Sequence, residues 1–257
     1  MARTKTDQCI ANCLQEKVGG CAFENQDKSH ILVACMPKSG STYLTAILTG
    51  LPGFRQAILV PDSGRREQEL DRLELIRNDE YDYVAQHHVR FSTPTQTLLE
   101  DFNIKPIVTV RNIYDALISI RDHFRNESTV KPMGYAFPYM KDWPDEQLEE
   151  FIADIFTPWY FNFFLSWQEY ENKHMISYDE LIDNPLEKIS EICSHLSLSA
   201  TRADIDAAIA RASGMFTRKN IGISGRGEQL NDYCKARVEH MASYYGGKDF
   251  SAIGIFP

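Results

Sequence analysis

The stretch His30–Phe54, which reads HILVACMPKSGSTYLTAILTGLPGF, decides how the chain is organised. It begins with a continuous apolar run, Ile31–Met36, of the kind found in a strand that is covered on both faces. Apolar residues then recur at helical spacing as far as Leu48, and Gly50 predicts the end of that helix. Between the two lies the polar segment PKSGST, residues 37–42. We therefore predict a buried strand that passes directly into a helix through a polar turn.

The remaining apolar patterns predict strands that alternate with helices. Further strands are expected at Tyr83–Val89, Ile107–Val110 and Met175–Tyr178. Further helices are expected at Glu67–Arg77, Thr95–Phe102, Tyr114–Phe124, Glu146–Tyr170 with a break near Pro158, and Pro185–Leu196. This alternation requires crossover connections. We therefore predict an α/β fold with a mostly parallel sheet and helices on both faces.

The segment Asn126–Pro144 departs from this rhythm, because it is rich in proline, glycine, tyrosine and phenylalanine. We expect a long loop or a short-helix insert near the binding face. Long loops of compact domains are often lids or specificity loops. A plain surface excursion is the alternative.

The composition favours one domain and narrows the possible partners. We expect an N-terminal extension over residues 1–29 and a single domain over 30–257. A net charge of -9 argues against a general nucleic-acid binder, which needs a basic surface. The sequence shows neither an export signal nor an apolar segment long enough to span a membrane. Any anionic ligand must be held by a local cluster of cations.

The six cysteines are typical of a reduced, cytoplasmic protein rather than of a disulfide scaffold. Cys9, Cys13 and Cys21 lie close together, and a metal site or a local disulfide there stays open. Their spacing matches no common zinc pattern, so ordinary thiols are favoured and no metal is expected.

The turn at residues 37–42 has the chemistry of a phosphate cradle. A helix start offers backbone N–H groups and a partial positive charge. Gly40 allows a close approach, Lys38 adds a full charge, and Ser39, Ser41 and Thr42 add hydroxyl donors. The usual nucleotide loop, G-x-x-x-x-G-K-[ST], places its lysine after the last glycine, whereas Lys38 precedes Gly40. An ATP or GTP loop is therefore disfavoured.

The run Pro37–Leu44, PKSGSTYL, resembles the 5′-phosphosulfate loop of sulfotransferases that use 3′-phosphoadenosine 5′-phosphosulfate (PAPS), whose pattern is P-K-[SA]-G-[ST]-[ST]-[WY]-L. The resemblance implies a P-loop-type three-layer α/β/α fold. It also implies that residues 38–42 bind the donor and that Tyr43 lies beside its base.

The family's second signature, which holds the 3′-phosphate, resembles the segment PIVTVRNIYDALISIRDHF. Arg111 closes the predicted strand, and Ser119 follows eight residues later. A guanidinium can fork onto phosphate oxygens, and a hydroxyl two helical turns on can join it. The alternatives are a surface arginine at a strand end and a small packing serine.

Two further segments resemble the family. Arg218 and Lys219 are in register with its late R-K-G-x-x-G-D-W loop, although Asn220 stands where glycine is usual. A solvated basic face is the alternative there. Tyr178 occupies the place of a tyrosine that lies against the adenine, although a core tyrosine is equally compatible with the sequence.

The expected general base is a histidine at the end of a strand. The family's K-T-H-L-P context aligns with the segment YVAQHHVRFS so that His88 is the base, with Gln86 in the place of the lysine. Strand alternation puts Gln86 and His88 on one face and His87 on the other. His87 stays open as the base, and Arg90 is a candidate substrate contact.

The resemblance implies an enzyme that transfers a sulfuryl group from PAPS to a hydroxyl or amine of a small-molecule or lipid-like acceptor. Lys38 would stabilise the departing phosphate, and His88 would accept the acceptor's proton. Two alternatives stay open: a P-loop kinase or NTPase that uses ATP with Mg²⁺, and a non-catalytic protein that binds a phosphorylated ligand.

Overall fold

The computed structural model describes residues 27–61, 68–215 and 224–256. The strands in this part of the chain are β1 (His30–Cys35), β2 (Arg55–Ala57), β3 (Tyr83–His87), β4 (Ile104–Val110) and β5 (His174–Ser177). The helices are α1 (Ser41–Thr49), α2 (Arg72–Asn78), α3 (Thr93–Asp101), α4 (Ile113–Asn126), α5 (Asp145–Gln168), α6 (Tyr178–Asp183), α7 (Pro185–His195), α8 (Arg202–Met215) and α9 (Asp232–Ser243). Short 3₁₀ turns lie at Pro138–Asp142, Arg226–Gln229 and Ser251–Ile253.

The five strands pair in parallel in the order β2-β3-β1-β4-β5. Each side of the sheet carries its own apolar core, because successive strand residues face opposite sides. One core joins Ile31 and Val33 to α1, α7 and α8, and the other joins Leu32 and Ala34 to α2 through α5 and α9. The structure thus confirms the predicted three-layer α/β fold.

The order of the strands locates a binding crevice. β1 lies between β3 and β4. After β1 the chain forms β2 and β3 on one side of it, and then crosses to form β4 and β5 on the other side. Ligands of open parallel sheets bind at the carboxyl ends of strands beside such a switch point. The polar turn after β1 lies at this place.

The predicted break near Pro158 is wrong, because α5 runs through it without interruption. A proline inside a helix costs roughly 3 kcal/mol. This cost is offset by burial, since Phe156, Tyr160, Phe161 and Phe164 are fully buried around it. The aromatic side chains on both sides of the proline hold the helix together.

Several boundaries differ from those expected. β2 is absent from the prediction because it has only three residues, of which Arg55 and Gln56 are exposed. α2 begins at Arg72, later than predicted, because Asp71 caps it by accepting from the N–H groups of Leu73 and Glu74. α6, α8 and α9 are also additional to the prediction.

No helix in the described ranges combines the length and the hydrophobicity that a membrane span needs.

Candidate active site

The turn between β1 and α1 is held in one conformation by its own side chains. Lys38 and Gly40 both have positive φ values, of 69° and 79°. The Ser39 hydroxyl is buried and donates to the Met36 carbonyl at 2.6 Å, and it lies 2.6 Å from Oγ1 of Thr109. Ser39 therefore does not offer its hydroxyl to a ligand, contrary to expectation. It ties the turn to β4 instead.

The start of α1 is open. Its N-cap is Gly40, whose position lacks a capping side chain, and its first turn contains no acidic residue. The partial positive charge of the helix is therefore not neutralised by the helix's own residues. Thr42, in the first turn, is exposed.

A cavity of about 230 Å³ opens at this helix start. It brings together residues from the turn, from α1, from the ends of β3 and β4, from α4, from the segment after α4, and from α6. The lining residues are Pro37, Lys38, Gly40, Ser41, Thr42, Tyr43, Gln86, His88, Arg111, Ser119, His123, Glu127, Lys131, Tyr178 and Ile182.

Arg111 and Ser119, which the resemblance assigns to the 3′-phosphate, both line this cavity. Arg111 is buried at the end of β4, and its Nη1 donates to the Lys38 carbonyl at 3.1 Å. Its Nη2 lies 3.7 Å from Oδ2 of Asp115. Ser119 is buried two helical turns along α4. A guanidinium and a hydroxyl thus border the same space as the open helix start.

Tyr178 closes one side of this arrangement. Its ring lies 4.0 Å from the Arg111 guanidinium in a cation-π contact. A Cβ atom on Gly40 would lie 2.9 Å from the Tyr178 ring, so only glycine fits there without displacement. Tyr43 lines the cavity too, and its hydroxyl lies 3.1 Å from Oγ of Ser213.

The two adjacent histidines have different surroundings. His88 lines the cavity, and its Nδ1 lies 2.8 Å from the Cys35 carbonyl. Because a carbonyl only accepts, Nδ1 carries the proton and Nε2 keeps a lone pair. His87 is buried elsewhere, where its Nε2 accepts from the N–H of Leu59 at 2.9 Å. Burial lowers the pKa of His88 to about 4, so its ring is neutral near pH 7.

Gln86 and Arg90 line two different cavities. The Gln86 amide lines the cavity and donates from Nε2 to Oγ of Ser41 at 2.9 Å. Arg90 lines a different, polar cavity together with Ser92 and Asn162, so the structure does not place it with Lys38.

Asp115 was not anticipated from the sequence, yet it joins three parts of the structure. Its carboxylate accepts from the backbone N–H groups of Gly225 at 2.9 Å and Gly227 at 2.5 Å, and it faces Arg111. Gly227 packs so tightly on Tyr114 that a Cβ atom there would lie 2.5 Å away. The described end of the late loop is thereby fixed to the start of α4. Arg218, Lys219 and the N-terminal cysteines Cys9, Cys13 and Cys21 lie outside the described residues.

Three lining residues beyond Ser119 were also missed. His123 and Glu127 follow Ser119 at intervals of four, so they extend the same face of α4, and Nδ1 of His123 lies 3.2 Å from Oε2 of Glu127. Lys131 comes from the segment after α4. Only the expectation that this segment lies near the binding face pointed to it.

The sequence matches the family model described as the sulfotransferase domain over residues 28–222, which is most of the chain. The chain belongs to the sulfotransferase family. The match begins just before β1 and contains the turn, β3, β4 and Tyr178, so it includes the elements that form the cavity. No curated protein matches this sulfotransferase by sequence.

Solved sulfotransferase structures share its fold. The mouse sulfotransferase SULT7A1, complexed with PAP, is 15% identical, with a TM-score of 0.64 over 87% of this chain and 86% of its own. STF9 from Mycobacterium avium is 12% identical, with a TM-score of 0.57 over 95% of this chain and 81% of its own. Retinol dehydratase, complexed with androsterone and the inactive cofactor PAP, is 13% identical, with a TM-score of 0.51 over 89% and 83%. At these identities the likeness shows the fold.

Proposed function

We propose that this sulfotransferase uses PAPS and transfers its sulfuryl group to a hydroxyl or amine of a small-molecule or lipid-like acceptor. The observation that carries the proposal is the meeting of an open helix start, Lys38, Arg111 and Ser119 in one cavity. A nucleotide with an anionic group at each end could place one group at the helix start and Lys38, and the other at Arg111 and Ser119.

The residues present suit such a donor. The N–H groups at the start of α1, with Lys38 and Thr42, suit the 5′-phosphosulfate, and Gly40 leaves room for the backbone to approach it. Arg111 and Ser119 suit the 3′-phosphate. Tyr43 and Tyr178 border the cavity as flat apolar surfaces, against which a base can stack.

The chemistry divides between two side chains. His88 holds its Nδ1 proton against the Cys35 carbonyl, and we assign to its Nε2 the proton that leaves the acceptor. Lys38 stabilises the negative charge that develops on the departing phosphate oxygen. Cys35 takes no part, because burial raises the pKa of its thiol to about 12.

The acceptor class rests on the walls of the cavity. Apart from the two tyrosines assigned to the base, Pro37 and Ile182 give the cavity apolar surface beside its charged groups. Retinol dehydratase, which shares the fold, was crystallised with androsterone, a small apolar molecule with a hydroxyl group. Both observations support a small-molecule or lipid-like acceptor.

We extend the proposal to the organisation and location of the chain. We assign residues 30–257 to one sulfotransferase domain and residues 1–29 to an extension. The described cysteines, Cys35, Cys193 and Cys234, are free buried thiols, which supports a reducing, cytoplasmic compartment. Fractionation of cells that make the tagged chain tests this location, and recovery in an oxidising compartment would contradict it.

Calorimetric titration with 3′-phosphoadenosine 5′-phosphate (PAP), beside ADP and ATP with Mg²⁺, tests the donor assignment. PAP carries the 3′-phosphate assigned to Arg111 and Ser119. We expect it to bind more tightly than ADP and the preference to be lost in Arg111→Ala. Equal or tighter binding of ATP with Mg²⁺ would favour a kinase or NTPase instead.

Replacing each histidine by asparagine separates an enzyme from a binding protein. We expect His88→Asn to lower turnover by about 100-fold or more and to leave PAP affinity within about twofold. His87→Asn is the matched control, since His87 lies outside the cavity. Sulfuryl transfer that survives His88→Asn would remove His88 from the mechanism. Tight PAP binding without transfer to any acceptor in a broad screen would favour the binding protein.

A further inference from the structure

Lys131 reaches the cavity from a segment that is fixed to the core. Lys131 pairs with Gly134 in an antiparallel bridge, which closes a tight turn. Gly134 packs on α5, where a Cβ atom would lie 2.6 Å from Ile155 and 2.8 Å from Phe156. Met133 and Met140 are buried beside it. The backbone around Lys131 is therefore positioned before any ligand binds.

The far end of the same segment is held to α4 as well. Nη2 of Arg125 donates to the Trp143 carbonyl at 2.6 Å and to Asp145 at 2.5 Å, and Arg125 also contacts the Lys141 carbonyl. These bonds tie the end of α4 to the start of α5. Lys131 thus stands on an anchored segment.

The cavity contains more cations than carboxylates. Among the described residues that line it, Lys38, Arg111 and Lys131 are cationic, and Glu127 is the carboxylate. Gln86, from β3, is neutral, and its amide donates a hydrogen bond to Ser41. Like charges in one small space repel each other unless an anion lies between them. The excess of positive charge therefore suits a ligand with several negative charges.

Lys131 lines the same cavity as Lys38 and His88, and its charge interacts with theirs. Burial and then the charge of Lys38 lower the pKa of Lys131 to about 8, against an opposing effect of Glu127. Lys131 in turn lowers the pKa values of His88 and His123, where burial is the larger cause. Lys131 therefore lies within electrostatic reach of both Lys38 and the histidine assigned as base.

We propose that Lys131 contacts the sulfuryl oxygens of the donor, beside Lys38, as a second catalytic cation. This inference rests on the proposed use of PAPS. The bond between sulfur and the bridging phosphate oxygen breaks, a bond between sulfur and the acceptor atom forms, and the acceptor's proton goes to His88. Lys131 keeps its own proton throughout and neutralises charge on the moving group.

The contact predicts a difference between two nucleotides, because PAP lacks the sulfuryl group that PAPS carries. PAPS and PAP are titrated separately into the wild type, Lys131→Gln and Lys131→Arg, without an acceptor. We expect Lys131→Gln to weaken PAPS binding by about tenfold and PAP binding by no more than about twofold. Lys131→Arg keeps the charge and should retain most of the PAPS affinity. Turnover of Lys131→Gln should fall at saturating acceptor.

Lys141→Gln is the matched control. Lys141 lies in the same segment and is exposed, outside the cavity. We expect unchanged affinities for both nucleotides.

The pH dependence gives a second readout. A lysine is charged below its pKa, so the lowered value means that Lys131 loses its charge as pH rises through about 8. His88 and His123, with pKa values lowered to about 4, stay neutral from pH 7 to 9. Arg111 and Glu127 line the same cavity in every variant. Lys38 also faces the cavity and is common to all variants. We expect the preference for PAPS over PAP to decline over this range in the wild type but not in Lys131→Gln.

Three results would overturn the inference. One is an equal loss of PAP and PAPS affinity in Lys131→Gln, and another is no loss of either. The third is a rise in acceptor KM alone, which would place Lys131 on the acceptor. Absence of PAP binding by the wild type would overturn the proposed function first, and with it this assignment.

Discussion

Two helices begin at the same end of the sheet, after neighbouring strands, but only one of them has its N-terminus capped by side chains. α4 follows β4 and is closed: Asn112 accepts from the N–H groups of Tyr114 and Asp115, and Asp115 adds a carboxylate to the first turn. α1 follows β1 and is open, with glycine as its N-cap and no acidic residue in its first turn.

The difference shows how one fold separates structure from binding. The positive end of α4 faces a carboxylate of the protein itself, and this carboxylate also holds the N–H groups of Gly225 and Gly227. The positive end of α1 faces the cavity, where an anionic ligand can take the place of the missing acid. The uncapped start is the one that we assign to the ligand, and the capped start is the one that holds Gly225 and Gly227.

Placing an acid in the open start should have the largest effect. Thr42→Asp puts a carboxylate in the first turn of α1, where it competes with phosphate for the helix end. We expect PAP affinity to fall by about 100-fold or more, while the free energy of unfolding rises by about 0.5 kcal/mol. Calorimetry and urea unfolding measure the two quantities. Thr93→Asp, at the exposed first residue of α3, is the control. Equal PAP affinities in the two variants would contradict the role of α1.

Removing the acid from the closed start should destabilise the protein. Asp115→Asn weakens the bonds to two backbone N–H groups, of which that of Gly227 is buried, so we expect the free energy of unfolding to fall by about 2 kcal/mol. Amide exchange at Gly225 and Gly227 should accelerate. Asp154→Asn, which breaks an exposed pair with Arg237, should cost about 0.5 kcal/mol or less. Similar costs for the two variants would mean that Asp115 does not anchor the late loop.

Adding a methyl group to the open start should weaken binding moderately. Gly40→Ala strains a left-handed backbone and pushes on the Tyr178 ring, which lies over Arg111. We expect about a tenfold loss of PAP affinity by calorimetry. Gly53→Ala isolates the backbone strain, because Gly53 has a φ of 88° and a Cβ atom there meets nothing within 4 Å. A tenfold loss in both variants would exclude a specific effect at the cavity.

Removing the cap of the closed start should have the smallest effect. We expect Asn112→Ala to lower the free energy of unfolding by about 1 kcal/mol and to leave PAP affinity within about twofold. Asn112→Asp, which can still cap, should recover most of the stability. A large loss of affinity in both would show that α4, like α1, serves the ligand directly.

The sheet could be predicted where buried strands are long enough to leave a pattern. The run Ile31–Met36 and the segment around Val108 are buried on both faces, and both strands were found. β2 has three residues, and its pairing with β3 depends on tertiary contacts rather than on its own sequence. Pro158 misled the prediction because local propensity carries no information on the aromatic core around it.

The sequence predicts best those site residues that lie close to one another along the chain. Lys38 and Gly40 share one turn, and Arg111 and Ser119 share one strand-helix unit, so each pair could be matched to a short motif of the family. Lys131 lines the same cavity as Lys38, and Asp115 bonds to Gly225, but each pair is far apart in the sequence and no spacing rule connects its members. The sequence does not show that the Ser39 hydroxyl turns toward Thr109 rather than toward the cavity.

The crystal structure of the complex with PAP tests the contrast between the two helix starts most directly. We predict the 5′-phosphate on the N–H groups at the start of α1 beside Lys38, and the 3′-phosphate on Arg111 and Ser119, with Asp115 still bonded to Gly225. A 5′-phosphate bound away from the start of α1, or one that displaces Asp115 from the start of α4, would contradict the account.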